Sequence, residues 1–106
     1  MNNKYAMKTI RFITEDNDTY AIKDKRACVT YIDDMMIAIV KENHEFVAYD
    51  PTTGYYIMRT ANANFLDEKL AYFTGVYKDA VDAGFCAEEI AFRKKLLNYV
   101  REHEKN

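Results

Sequence analysis

Cys28, Cys86, His44 and His103 are the softest metal-ligand candidates in the chain. Zinc sites draw on such residues, and their ligands usually come in close pairs separated by two to four residues. None of the four has that spacing, so no metal is expected. His44-Glu45 lacks the second histidine that a helical zinc-protease motif needs. Cys86 stands at an expected helix start, where the dipole lowers a thiol pKa. Without an adjacent base its expected role is capping or packing. Asp16/Asp18, Asp33/Asp34 and Glu88/Glu89 are the carboxylate pairs. Asp16-Asn17-Asp18 lacks the glycine and terminal glutamate of a calcium loop. All three pairs sit where turns and helix starts favour acids anyway. Three scattered glycines build no phosphate-cradling loop. The chain is therefore read as having no catalytic residue, metal or cofactor, and as not an enzyme.

Aromatic residues are the informative excess: nine Tyr and six Phe, with no Trp. Tyr72, Tyr77 and Tyr99 fall on apolar helix faces and are expected in the core. Tyr49, Tyr55 and Tyr56 flank a turn, and alternation puts adjacent Tyr55 and Tyr56 on opposite sheet faces. Tyrosine with a nearby arginine is the composition of binding hot spots. Tyr49, Tyr55, Tyr56 and Arg59 are thus the expected binding residues.

The elements that carry them follow from two periodicities. Five or six short strands are expected, from the segments 9–13, 20–22, 27–32, 35–40, 46–49 and 55–59. The connections carry turn residues: Glu15 to Asp18, Asp33-Asp34, the polar Lys41 to Glu45, and Asp50-Pro51-Thr52-Thr53-Gly54. Short connections imply an antiparallel meander, because parallel pairs need long crossovers. Beyond residue 60 the period becomes helical. Asn64 is the expected N-cap, with Asp67 and Glu68 in the first turn where the dipole favours acids. Gly84 should stop this helix at 83 in a left-handed conformation, with Phe85 making the accompanying apolar contact. The second helix, 86–104, opens on Cys86-Ala87-Glu88-Glu89, which has capping-box spacing. Glu89 and Arg93 stand four apart on its apolar side and should pair. Phe65, Phe73, Val76, Leu96 and Val100 are the expected helical core, with Phe12 and Ile57 contributed by the strands.

The expected fold is thus α+β, a β-meander followed by an αα-hairpin packed on one sheet face. With 106 residues it forms a single domain. Residues 1–7 should be a flexible extension, 8–60 the sheet and 64–105 the helical hairpin. Strands 46–49 and 55–58 are apolar on both faces, which calls for cover on both. One hairpin covers one face. A homodimer is the expected cover for the other, with Tyr49, Tyr55 or Tyr56 in or beside the contact; another protein or the segment around Tyr5 is an alternative cover.

Charge narrows the partners. Lys+Arg number 15 and Asp+Glu 17, a formal charge of −2, and neither half of the chain is a basic arm or an acidic tail. Direct nucleic-acid binding is therefore not expected. The basic stretches Lys23 to Arg26 and Arg93-Lys94-Lys95 are diluted by acids and read as solvated charge. No apolar run approaches the about 20 residues of a spanning helix, so no membrane role is expected. With no apolar leader at the start, free thiols in a cytoplasm are expected rather than a disulfide.

Lys8-Thr9-Ile10-Arg11-Phe12-Ile13-Thr14 and Tyr31-Ile32-Asp33-Asp34 resemble segments of small uncharacterised accessory proteins carried by mobile elements of Gram-positive bacteria. Asp82 to Glu89 is similar to the helix–Gly–helix ending of many small phage-borne proteins. The resemblance implies an accessory or anti-defence protein that binds a host protein in the bacterial cytoplasm and catalyses nothing, such as an inhibitor of a nuclease-based defence of the CRISPR kind. Two further classes are carried beside it. One is an oligomeric protein sequestering a nucleotide-like ligand, with aromatic stacking and Arg26 or Arg59 on phosphate. The other is a small metal-dependent hydrolase using the scattered acids.

Overall fold

A computed structural model describes residues 6–85 and 87–104, apart from the side chains of Glu15, Asp16 and Phe65. The chain forms one antiparallel sheet followed by two helices. The strands are β1 (Ala6–Asp16), β2 (Thr19–Ile32), β3 (Met35–Glu42), β4 (Glu45–Asp50) and β5 (Tyr55–Thr60), hydrogen-bonded in sequence order. Helices α1 (Leu66–Asp82) and α2 (Ala87–His103) complete the fold. The α+β meander expected from the sequence is the architecture found.

Three of the four hairpins share one turn. Asn17-Asp18, Asp33-Asp34 and Asn43-His44 each have positive φ at both positions, between 49° and 69°. Two-residue loops of this kind match the right-handed twist of the strands they join. Asn, Asp and His enter the left-handed region more readily than other side chains, so the turns close without glycine. The fourth connection, Pro51 to Gly54, is the wider one. Gly54 takes φ +77° and donates its N–H to the carbonyl of Asp50 at 2.7 Å.

Several boundaries differ from the sequence expectation. The strands expected at 20–22 and 27–32 are one strand, β2, and Lys23 to Arg26 run through its middle paired with β1. The strands therefore number five. Ala6 and Met7 belong to β1 and not to a loose extension. Asn62, not Asn64, caps the helical region: its Oδ1 accepts from the N–H of Asn64 at 3.0 Å and opens a 3₁₀ turn, Ala63–Phe65, ahead of α1. The stop at Gly84 is as expected. Phe85 N–H donates to Ala80 O at 3.0 Å and Gly84 N–H to Val81 O at 2.9 Å, the paired bonds of a Schellman ending. Phe85 itself stays exposed. Cys86 lies outside the described residues, and so does its expected capping box.

Both helices sit on the same side of the sheet, α1 on β3, β4 and β5 and α2 over Tyr20 of β2 and Tyr55 of β5. Leu66 and Leu70 of α1 pack with Ile37, Ile39, Ala48, Ile57 and Met58. Phe12 and Ile57 are buried as expected, whereas Phe73 and Val76 are exposed and Leu96 and Val100 half-buried. Tyr72 and Tyr99 are exposed as well, leaving Tyr77 as the helical tyrosine that turns inward. The apolar half of α1 is broader than the strip of sheet beneath it, so only the Leu66, Leu70 and Thr74 side is covered. The Phe65 side chain lies outside the described residues.

The opposite sheet face is closed by the chain itself. Phe12, Ala27, Ala38, Val40 and Val47 form a second buried cluster there. Two strands separate β1 from β4, yet the rings of Phe12 and Tyr49 meet edge to face at 5.9 Å. The backbone of Ile13 reaches the β4–β5 turn, where a Cβ on Gly54 would overlap its carbonyl oxygen. The sheet thus coils until its first strand touches the connection between its last two. Val47 and Ala48, which point to opposite faces, are both 0% exposed. The β1–β2 hairpin thus covers part of this face, while Tyr56 on it stays exposed.

Candidate functional site

The expected binding residues separate into two groups. Tyr49 and Tyr56 face each other across β4 and β5 on the coiled side of the sheet, with ring centroids 6.5 Å apart. The Arg59 guanidinium lies 5.5 Å from the centre of the Tyr56 ring and bonds Glu45 at 3.0 Å. Tyr49 OH stands 3.4 Å from both carboxylate oxygens of Glu42. Burial, with the Glu42 charge beside it, pushes the Tyr49 hydroxyl above its usual pKa. The Glu45 hydrogen bond likewise holds Arg59 more firmly protonated. The result is an aromatic and guanidinium patch with acids at its edge. Tyr56 and Arg59 are exposed, and Tyr49 anchors them from beneath.

Tyr55 points to the other face, as alternation requires, and joins a different assembly. There Arg93 of α2 is 4% exposed and lies over two rings, 4.8 Å from the centre of Tyr20 and 4.2 Å from that of Tyr55. One of its nitrogens donates to the carbonyl of Thr53 at 2.6 Å and another to Glu89 at 2.9 Å. The Glu89–Arg93 pair expected from spacing is therefore present, and it is the seat of the whole helix. Tyr20 OH donates to the same Glu89 at 2.7 Å, and that bond raises the Tyr20 pKa. Next to it Tyr77 OH donates to Asp50 at 2.8 Å and lies 3.1 Å from the Thr53 hydroxyl. Burial of the Tyr77 phenol pushes its pKa well up. Sequence reasoning missed this network because its members come from β2, β4, the β4–β5 turn, β5 and both helices. The one advance signal was the charged pair at i,i+4 on an apolar helix face.

Between the two helices and the sheet opens a cleft of about 410 Å³. Its walls include Tyr31, Met35 and Met36 from the β2–β3 hairpin, Asp50 at the end of β4, Thr52 from the β4–β5 turn, Tyr77, Lys78 and Asp82 from α1, and Ile90 and Lys94 from α2. Lys78 is 3.7 Å from Asp33 at the rim.

Of the soft ligand candidates, Cys86 lies outside the described residues. Cys28 is a half-buried free thiol whose Sγ lies 3.1 Å from the Met7 sulfur, and the His103 ring stacks on Tyr99 with centroids 4.0 Å apart. Among the described residues no three His, Cys, Asp or Glu side chains come together as metal ligands, and no helix is long and apolar enough to cross a membrane. No family model, curated protein or solved structure matches this chain.

Proposed function

We propose that this chain is a small non-enzymatic binding protein of a phage or mobile element that inhibits a host nuclease-based defence by protein–protein contact. The observation that carries the reading is the Tyr56–Arg59 patch. An exposed tyrosine lies under a planar guanidinium that Glu45 holds in place, on an antiparallel sheet packed on both faces. Tyr and Arg dominate the energetics of protein interfaces, and pre-ordered side chains lose little entropy when a partner docks.

The test is a plasmid-interference assay in bacteria that carry a nuclease-based defence, with and without the protein. Wild type should restore plasmid survival, and Tyr56→Ala with Arg59→Ala should abolish the effect while leaving the melting temperature nearly unchanged. No restoration across a panel of defence systems, or full activity in the double variant, would overturn the reading.

A second reading, a protein that sequesters a nucleotide-like molecule, draws on the cleft between the helices, where Lys78 and Lys94 stand near the tyrosine rings of Tyr31 and Tyr77. Native mass spectrometry of the purified protein against a nucleotide panel separates the two. A bound small molecule, lost in Tyr77→Ala, would favour sequestration.

A further inference from the structure

The exposed side of α1 carries a pattern that the fold does not use. Tyr72, Phe73 and Val76 are 66%, 39% and 48% exposed on successive turns of a well-formed helix. Large apolar side chains grouped in this way mark a contact surface. Lys69 and Asp79 flank them and are exposed too. Lys69, Tyr72, Val76 and Asp79 stand at intervals of three, four and three, the spacing of seam positions in a coiled coil. The order along the helix is cation, apolar, apolar, anion.

That order decides what fits. We infer that α1 is the contact of an antiparallel homodimer, with a second copy of this chain as the occupant. A twofold axis at the level of Thr74 sets Lys69 against Asp79 of the second copy and Tyr72 against Val76 of the second copy. Symmetry repeats each layer, so one stripe satisfies itself. A parallel pair would oppose lysine to lysine and aspartate to aspartate, which costs free energy. Gly75 stands beside the stripe with nothing within 4 Å of where a Cβ would be, so no bulky side chain on that flank keeps the helices apart. This contact is distinct from the Tyr56–Arg59 patch and does not rest on the proposed function.

Sedimentation equilibrium of the full chain, from about 1 to about 100 µM, tests it. Wild type should be a reversible dimer. Lys69→Asp opposes two carboxylates in both outer layers and should raise the dissociation constant at least about tenfold. Adding Asp79→Lys restores opposite charges and should return it to within about threefold of wild type. Both changes suit the helix dipole, acid near the N-terminus and base near the C-terminus, so helicity should not suffer. A wild-type monomer at about 100 µM, a dimer indifferent to Lys69→Asp, or a charge swap that fails to restore it would each overturn the inference. A monomer that still inhibits the host defence would remove the dimer and leave the partner reading standing.

Discussion

Helices α1 and α2 have the same length, 17 residues, and are attached to the same sheet by different chemistry. Leu66 and Leu70 hold α1 through apolar contact with β3, β4 and β5. Ile90 and Leu97 bury part of α2, and between them sits a cation, Arg93, enclosed by two tyrosine rings, a backbone carbonyl and a carboxylate. Apolar contact is non-directional, so on α1 orientation falls to the Tyr77 hydroxyl, bonded to Asp50 and lying beside Thr53. A guanidinium has donors in a rigid fork and two flat faces, so its partners determine one orientation. The helix with the lower hydrophobic content thus leans more on directional bonds, and it places a cation where α1 places a phenol.

The most damaging test of this contrast is Gly54→Ala, which strikes the seat of α2. The new Cβ would overlap the Ile13 carbonyl and stand 3.4 Å from an Arg93 nitrogen, at a φ of +77°. Strain and collision together should cost more than about 3 kcal/mol in denaturant unfolding. A loss under about 1 kcal/mol would mean that the sheet does not close on this turn.

Arg93→Ala should cost about 3 kcal/mol, because the Thr53 carbonyl is left buried and both rings lose their partner. Arg93→Lys keeps the charge without the fork and should recover part of that loss, not all of it. Equal stability of the lysine variant and wild type would reduce the site to a plain charge. Both are measured by chemical denaturation.

Tyr77→Phe removes a hydroxyl bonded to Asp50 and should cost about 1–2 kcal/mol at neutral pH. The pH dependence has a definite sign. Tyr77, Tyr49 and Tyr20 all have folded pKa values above the ordinary 10.0. Their neutral forms are favoured by the fold. That stability is whole below pH about 10, where the unfolded phenols are also neutral, and it is lost as pH rises through the folded values. Melting temperature should therefore fall more steeply above pH about 10 in wild type than in Tyr77→Phe.

The smallest effects belong to α1, one on its covered side and one on its open side. Thr74 is 0% exposed, and its hydroxyl has no hydrogen-bond partner among the described residues. Thr74→Val should therefore raise stability by about 1 kcal/mol. Phe73→Ala, on the exposed side, should cost under about 1 kcal/mol in the monomer. A loss of about 3–5 kcal/mol, the range for truncating a core phenylalanine, would show that α1 is rotated from this placement.

What the sequence by itself determined is what short-range chemistry dictates. Alternating side chains define strands, and paired Asn, Asp and His residues turn the chain in two positions. Gly84 ends a helix because it enters the left-handed region without a Cβ penalty. Glu89 and Arg93 meet because four residues make about one helical turn. The adjacency of Tyr55 and Tyr56 also sufficed to place them on opposite faces. Only the tertiary structure decided which apolar surfaces are covered. The charged run Lys23 to Arg26 reads locally as a loop, but β1 pairs with it and carries β2 straight through. The second sheet face reads as open, but the coil of the sheet brings Phe12 onto Tyr49. The apolar half of α1 reads as core throughout, yet the sheet meets one side of it and leaves Tyr72, Phe73 and Val76 in solvent. Periodicity records that a surface is apolar, while cover depends on long-range curvature, which no local spacing encodes.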